Sequence, residues 1–264
     1  MDRNKLKELL SINSTNSIAN LHVFSELDST NAEAGRLLGS GVEGVQLIIA
    51  NSQSAGRGRR GRIWVSPSGS GLYLSLVYPF SINADALQGL SLITAISTHT
   101  AIQDFGARNL QLKWPNDILV GNKKLSGILL ESRSENNQTW VVFGIGINFK
   151  LTEDQKQSID RPVTDIEELL PDGPSMEQLA ASTTNLLLEN IVKFQDSGFS
   201  TFQTAWNKHD RYLERDIVIQ NGNSQKIGRC QGVDENGALL LQTAEGILKI
   251  SGGEIFPSLR EASE

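Results

Sequence analysis

The sequence predicts an α+β fold with a small C-terminal β-barrel. Before residue 213, apolar segments of strand length are interspersed with segments of helical spacing. After residue 214, the chain consists of short strand-like segments, DIVIQ, QKIGRCQGVD, ALLLQT and ILKI, separated by turns that contain Asn-Gly or Glu-Gly. We therefore predict two domains, residues 1–213 and 214–264.

Composition and charge exclude several classes of protein. Hydrophobic residues make up 39% of the 264 residues and charged residues 20%, which is typical of a globular chain. A net charge of −6 argues against a general nucleic-acid binder. Cys230 is the single cysteine, so an internal disulfide is excluded and a reducing compartment is favoured. The first ten residues lack a secretory signal, and no apolar run is long enough for a membrane span. We predict a cytoplasmic protein.

The first fifty residues predict two helices and two strands. Asp2 is a suitable N-cap for a short helix, and a polar stretch, 11–20, leads into a strand at 21–27. Residues 29–31 stand where the chain turns into a second helix, which ends at the glycines that follow residue 38. The apolar segment 46–50 predicts a buried strand.

The middle of the chain predicts five more strands and a core helix. We expect a strand at 72–78 that Pro79 ends, and a helix over 83–105, where apolar residues have helical spacing. Glycines interrupt the apolar strand at 139–149, which allows close approach to its backbone. The remaining predicted strands are 110–114, 117–120 and 124–132.

Two helices are predicted before the domain boundary. After 149 the chain is polar and loop-like. Ser175 and Gln178 then form a capping-box pattern for a long helix that ends near Gly198. A second helix is predicted at 201–210.

An arginine-rich segment, SAGRGRRGRIW at 54–64, is the most conspicuous motif of this acidic chain. Glycine allows a backbone to approach a ligand, and the arginine side chain matches carboxylate and phosphate. A solvated basic loop is an equally simple interpretation of the composition. RNA-binding segments of this type occur in repetitive disordered tails, whereas this one lies between apolar strands. We therefore predict a local anion site.

Three further motifs are weaker individually. In KWPND, 113–117, the Asn and Asp side chains can accept hydrogen bonds or bind a cation, although for this motif alone a structural turn is the favoured interpretation. Lys124 begins a strand three residues before Gly127, which leaves space beside the backbone, but a lysine at a strand end is commonly just solvated. GIGIN, 144–148, lacks the third glycine of a dinucleotide fingerprint.

Taken in order, the motifs resemble those of the biotin–protein ligases, and the resemblance covers about residues 21 to 256. GVDENGALLL and GGEI are similar to the small C-terminal barrel of that family. The resemblance implies a class II synthetase-like mixed sheet flanked by helices, followed by a small SH3-like β-barrel. The motifs that carry it are LDSTN (27–31), QSAGRGRRGRIW (53–64), KWPND (113–117), KLSGILLE (124–131) and GIGIN (144–148).

The resemblance implies an ATP-dependent ligase. Such enzymes join biotin to ATP, giving biotinyl-5′-AMP and pyrophosphate, and then pass biotin to one lysine of a biotin carboxyl carrier protein domain of acetyl-CoA carboxylase or a related carboxylase. The implied ligands are biotin, ATP and Mg²⁺, with no nucleic-acid or membrane partner, and the chain is expected to be a monomer or a homodimer. About 20 residues precede the first predicted strand, too few for the DNA-binding domain of some members, so we expect a monofunctional ligase.

The resemblance also implies roles for individual residues. The catalytic candidates are Lys124, Arg59, Lys113 and Asp117, of which Asp117 is a candidate either for binding Mg²⁺ or for steering the incoming lysine. The candidates for biotin binding are Ser29, Thr30, Asn31, Gln53, Gly56, Arg57, Gly58, Arg59, Lys124 and Gly127. Those for ATP or adenylate binding are Arg57, Arg59, Arg60, Trp64, Lys113, Asn116 and Asn148.

Two alternatives compete with this hypothesis. A lipoate–protein ligase or octanoyl transferase has the same type of fold and a lysine that faces the ligand, but GRGRRG and KWPND fit the biotin branch better. A non-enzymatic regulator that binds nucleic acid through the arginine loop belongs to a different class, and it predicts DNA binding with a steep salt dependence.

Overall fold

A seven-stranded mixed sheet forms the centre of the computed structural model, which describes residues 1–81, 89–135, 138–222 and 224–256. Its strand order is β1-β2-β3-β7-β6-β5-β4, in which β1 and β2 are parallel and the other neighbours antiparallel. The strands are β1 Ile18–Phe24, β2 Val45–Ala50, β3 Gly71–Phe80, β4 Leu110–Lys113, β5 Asp117–Val120, β6 Lys123–Glu135 and β7 Gln138–Asn148.

Helices cover both faces of this sheet. Successive side chains of a strand point to opposite faces, so the apolar residues of β2 bury both faces. On one face Ile48 and Val77 pack against Ala34 of α3. On the other, Leu47 and Ile49 join the main core together with residues of α1, α4 and α7. No helix in the described ranges is long and apolar enough to cross a membrane. The helices are α1 Arg3–Leu9, α2 Ile12–Ser17, α3 Thr30–Gly39, α4 Leu90–Asp104, α5 Glu153–Ser158, α6 Ile166–Leu169, α7 Met176–Ser197 and α8 Ser200–His209.

A second, antiparallel sheet follows α8, in the order β11-β10-β9-β8-β12. It is joined to the first by hydrogen bonds: the Trp114 indole N–H donates to the Gly237 carbonyl at 3.2 Å, and the Val233 N–H donates to Asn207 Oδ1 at 2.9 Å. The α+β fold, with a helix-flanked mixed sheet and a C-terminal antiparallel sheet, is therefore confirmed. The strands are β8 Asp216–Asn221, β9 Ser224–Val233, β10 Leu239–Thr243, β11 Gly246–Ile250 and β12 Glu254–Phe256.

Local sequence signals for helix starts and the buried strand are confirmed. Asp2 accepts hydrogen bonds from two N–H groups of α1, and Ser175 and Gln178 form both bonds of the capping box of α7. Pro79 does not end β3, contrary to the prediction, since the strand continues to Phe80. At Pro79 the strand still pairs with Trp140 of β7, but its pairing with β2 has ended two residues earlier, at Val77, so the proline interrupts no ladder on the β2 side.

Short elements were missed because they are polar or stabilised by tertiary contacts. The stretch 11–20 contains α2 and the start of β1, and the stretch after 149 contains α5 and α6. Side-chain caps hold all three helices, from Ser11, Thr152 and Asp165 respectively. β12 was not predicted either. The predicted helix 83–105 is confirmed from Leu90 to Asp104, while 83–88 lie outside the described residues.

Candidate active site

One cavity of about 570 Å³ lies between the start of α3, the arginine loop, the β4–β5 turn and the strands β6 and β7. The structure brings every predicted site residue except Gly56 to its lining: Ser29, Thr30, Asn31, Gln53, Arg57, Gly58, Arg59, Arg60, Trp64, Lys113, Asn116, Asp117, Lys124, Gly127 and Asn148.

Lys124 and Asp117 form an ion pair at the centre of the lining. Their Nζ and Oδ1 atoms are 2.7 Å apart, and the two side chains are only 10% and 14% exposed. The pair forms because β5 and β6 are adjacent antiparallel strands joined by a short turn. Burial lowers the pKa of Lys124, and the charge of Asp117 opposes that shift. A buried ammonium held in this way is available to an anionic ligand.

Lys113 and Arg59 add a buried and a partly buried cation. Lys113, at the end of β4, is 4% exposed, and burial lowers its pKa against the opposing charge of Asp117. Arg59 donates to Asn116 Oδ1 at 3.1 Å and lies within 3.5 Å of the Gly253 carbonyl. The guanidinium of Arg59 therefore links the arginine loop both to the β4–β5 turn and to the C-terminal sheet.

Trp64 lies across the floor of the cavity, over two glycines. A Cβ atom on Gly146 would be 2.5 Å from Trp64 Cε2, and one on Gly127 would be 3.0 Å from both Trp64 Cζ3 and Lys124 Nζ. The Lys124 ammonium lies 5.3 Å from the indole ring centroid, within cation–π range. These glycines thus make room for a protein side chain, in addition to exposing their backbones to the cavity.

A polar cradle forms at the start of α3. The Thr30 N–H donates to Gln53 Oε1 at 2.8 Å. Asn31 Nδ2 donates to Glu131 at 2.9 Å. The buried hydroxyl of Ser75 lies 2.8 Å from Thr30 Oγ1 and 2.7 Å from Asn31 Oδ1, so it orients both side chains. The cradle is held by residues of four separate segments of chain.

Asn116 and Asn148 support the backbone of the cavity wall. Asn116 Nδ2 donates to the Ile128 carbonyl at 2.8 Å, which ties the β4–β5 turn to β6. Asn148 Nδ2 donates to the carbonyls of Lys124 at 3.2 Å and Thr164 at 3.0 Å. Asn148 therefore fixes the start of β6, the strand that carries the central lysine.

The C-terminal sheet holds the arginine loop. Arg62 donates to Glu254 through both terminal nitrogens, at 2.7 Å for Nη1 and at a shorter distance for Nη2. Arg60 lies 3.6 Å from the same carboxylate. Burial raises the pKa of Glu254, but the bonds and charge of Arg62 outweigh it, so the pKa is lowered overall. The loop is thus docked over the cavity by a residue of β12.

Gly56 has a structural position beside the cavity. A Cβ atom there would lie 2.3 Å from the Trp64 carbonyl oxygen. The loop can therefore fold back on itself only if residue 56 has no side chain.

Sequence reasoning missed several residues of the site, among them Ser75, Glu131, Asp160, Arg161 and Glu254. Glu131 and Glu254 stand in the motifs KLSGILLE and GGEI, but their partners Asn31 and Arg62 are distant in sequence. Ser75 carried no local signal at all.

A resident metal does not fit the acidic residues of the cavity. The Asp117 carboxylate is paired with Lys124, and that of Glu254 with Arg62. Across the described ranges, no three His, Cys, Asp or Glu side chains are grouped to hold an ion. The Mg²⁺ role of Asp117 stays a prediction.

Comparisons with known proteins agree with this geometry. Residues 23–148 match the biotin/lipoate A/B protein ligase family, and residues 213–256 match the biotin protein ligase C-terminal domain. The bifunctional ligase/repressor BirA of Salmonella typhimurium is 34% identical over 92% of this chain and 75% of its own length. The biotin–[acetyl-CoA-carboxylase] ligase of Paracoccus denitrificans is 31% identical over 89% of this chain and 99% of its own.

A solved structure extends the agreement to three dimensions. The biotin protein ligase from Aquifex aeolicus in complex with biotin and ATP superposes with a TM-score of 0.75, at 30% identity, over 90% of this chain and 98% of that one. Motifs, fold and cavity all agree with this similarity. The chain therefore belongs to the biotin protein ligase family.

Proposed function

We propose that this chain activates biotin with ATP to biotinyl-5′-AMP and transfers the biotinyl group to a lysine of a biotin carboxyl carrier protein domain. The observation that carries the proposal is a cavity in which the buried Lys113 and Lys124 and the partly buried Arg59 lie beside the polar cradle of Thr30 and Asn31. Family membership supports the same activity.

The first step needs two negative groups to meet. A biotin carboxylate oxygen attacks the α-phosphorus of ATP, and pyrophosphate leaves. Lys124 and Lys113 offset the repulsion and stabilise the negative charge that develops at phosphorus. ATP enters as its Mg²⁺ complex, in which the phosphates supply much of the coordination. We assign Arg59 to closing the cavity over the product.

The polar cradle suits the ureido group of biotin, which has two N–H donors and one carbonyl acceptor. Thr30, Asn31 and Gln53 offer both donors and acceptors in a fixed arrangement. Trp64 was expected on the adenylate side, but because it lies next to Lys124, which pairs with the carboxylate, we assign its apolar face to covering the remainder of biotin. We propose that this arrangement selects biotin.

In the second step a lysine amine of the carrier domain attacks the acyl carbon and AMP leaves. We propose the carrier domain of acetyl-CoA carboxylase or a related carboxylase as the acceptor, which is supported by the similarity to the biotin–[acetyl-CoA-carboxylase] ligase of Paracoccus denitrificans. We also propose that residues 1–213 and 214–264 are separate domains, in line with the separate family matches at 23–148 and 213–256.

Pyrophosphate release measures the first step directly. The purified chain with MgATP is expected to release pyrophosphate only when biotin is added, and to label a carrier domain in a second stage. Lipoate and octanoate serve as matched alternatives, because they present the same carboxylate without a ureido ring. Release with lipoate and none with biotin would reject the proposal.

A further inference from the structure

A second cleft, of about 250 Å³, adjoins the large cavity. The two spaces share a wall formed by Arg59, the Trp114–Pro115 turn and residues 128–129. The second cleft is therefore one side chain away from the space in which the proposed adenylate forms.

The cleft lies at the junction of the two sheets, where hydrogen bonds fix the backbone. Trp114 donates to the Gly237 carbonyl at 3.2 Å, and Ser91 Oγ donates to the Pro115 carbonyl at 3.0 Å. A Cβ atom on Gly237 would lie 3.0 Å from Gly89 Cα, so the two parts of the chain are in direct contact. These contacts fix the position of the cleft relative to the large cavity.

The lining of the cleft is polar at its exposed mouth and apolar in its buried interior. Asn236 and Ser251 are exposed, whereas Leu92, Ile128 and Ala238 are buried, at 3%, 2% and 6% exposure. A lysine side chain has the matching character, since its methylene stem is apolar and its tip is polar.

The large cavity and the second cleft are two routes by which a lysine side chain could approach the reacting centre, and they differ in charge. Seven cationic and three acidic side chains line the large cavity, so a positively charged lysine is repelled there. The cationic side chains are Arg57, Arg59, Arg60, Arg62, Lys113, Lys124 and Arg161, and the acidic ones are Asp117, Asp160 and Glu254. Of the described residues that line the second cleft, Arg59 alone is charged.

We propose that the acceptor lysine of the carrier domain reaches the acyl-adenylate through the second cleft, past Arg59. This inference rests on the proposed function. The cleft accepts the lysine as its neutral amine, after a proton has passed to water, and the neighbouring guanidinium favours the neutral form. The amine nitrogen then forms a bond to the acyl carbon, the bond between that carbon and the phosphate oxygen breaks, AMP leaves with the electron pair, and a second proton passes to water.

Filling the mouth of the cleft tests the proposal. Asn236→Trp and Ser251→Trp place an indole at exposed positions, so both variants are expected to fold. We expect biotin-dependent pyrophosphate release within twofold of the parent, and single-turnover transfer to the carrier domain at least tenfold slower. Glu235→Trp, in the same turn but outside the lining, is the matched control and is expected to transfer at the parent rate.

Cross-linking gives a readout that does not depend on activity. Cys230 is buried, so a cysteine introduced at 236 or 251 is the reactive thiol of the chain. With a carrier domain in which cysteine replaces the acceptor lysine, a short bis-maleimide is expected to link Asn236→Cys and Ser251→Cys but not Glu235→Cys. Parent-like transfer by both tryptophan variants, or equal linking at all three positions, overturns the proposal. Lack of biotin-dependent pyrophosphate release in the parent would instead overturn the proposed function.

Discussion

The carboxylate of Glu254 and the guanidinium of Arg62 form a two-point ion pair across 192 residues of sequence, with Nη1 and Oε1 2.7 Å apart. Arg62 belongs to the loop that covers the cavity, and Glu254 belongs to the last strand of the C-terminal sheet. The pair therefore couples the position of the loop to the docking of a separate sheet.

Replacing Glu254 with Gln is expected to increase the escape of adenylate from the enzyme. The neutral side chain keeps the shape but loses the charge-assisted bonds, which contribute about 1.5–3 kcal/mol in such contacts. Because Arg62 is 29% and Glu254 16% exposed, we expect the lower part of that range, about tenfold in the adenylate dissociation rate. The rate is measured by following the release of labelled adenylate from the enzyme after an excess of unlabelled adenylate is added. Glu245→Gln, on an exposed turn, is the control, and an unchanged rate in E254Q would show that the pair does not hold the loop.

Replacing Lys124 with Ala is expected to nearly abolish adenylate formation while the protein stays folded. Loss of one partner of a buried charge pair costs about 2–5 kcal/mol, or about 30- to 5,000-fold in rate. Biotin-dependent pyrophosphate release is the measurement. Lys123→Ala is the matched control, since Lys123 is the preceding residue but is 51% exposed and pairs with Glu168 at 2.8 Å. Near-parent rates for K124A would contradict the assignment.

Replacing Arg59 with Gly is expected to separate the making of adenylate from its retention. The variant loses the bonds to Asn116 and Gly253, whereas Lys124 remains to promote activation. Free adenylate and labelling of a bystander protein should both rise several-fold, because an open loop exposes the mixed anhydride to water and stray amines. Arg108→Gly is the control, since Arg108 is exposed and lies outside the lining of the cavity. Equal leakage from the R59G variant and the parent would contradict the role of Arg59.

Replacing Gly146 with Ala is expected to weaken biotin binding without unfolding the chain. The new methyl group would meet Trp64 at 2.5 Å, and the indole must move away from the floor. Overpacking of this kind costs about 1–3 kcal/mol in the folded protein, and if the displaced indole blocked the ligand to the same extent the KM for biotin would rise by up to about 150-fold. Gly35→Ala, where the added atom meets nothing within 4 Å, controls for the substitution itself. An unchanged KM would mean that Trp64 does not contact the ligand.

Replacing Asp210 with Asn is expected to remove a pH dependence of stability. Burial raises the pKa of Asp210 from 3.8 to about 6, against opposing hydrogen bonds from Tyr212, Trp206 and Cys230. A folded-state pKa above the unfolded value means that the folded protein binds the proton more tightly. The contribution to stability is thus highest below pH 3.8 and falls as the pH rises to 6, by up to about 3 kcal/mol.

Urea unfolding between pH 4 and pH 8 measures this slope. D210N should lose less stability than the parent over the interval and should be the more stable protein at pH 8. Asp216→Asn, at an exposed position at the start of β8, should follow the parent. Parallel curves of unfolding free energy against pH for D210N and the parent would show that the pKa of Asp210 is not raised in the folded protein.

Features that depend on a few neighbouring residues could be predicted from the sequence. The cap of α1 at Asp2 and the capping box of α7 at Ser175 act over three residues, so their patterns are visible in the chain itself. The same holds for the buried strand β2 and for the turn of KWPND. The order of the motifs was sufficient to indicate the family and a set of site residues that, except for Gly56, all line the cavity.

The tertiary structure decided which distant residues meet. Ser75 orients Asn31 across 44 residues, and Glu254 holds Arg62 across 192, because the strand order places β3 beside the cradle and β12 beside the loop. The continuation of β3 through Pro79 has the same origin, since only the sheet shows that β2 no longer pairs there. Sequence patterns determine local hydrogen bonds and the faces that become buried. The partners of charged and polar side chains follow from topology, because no short-range pattern encodes a contact between segments that only folding brings together.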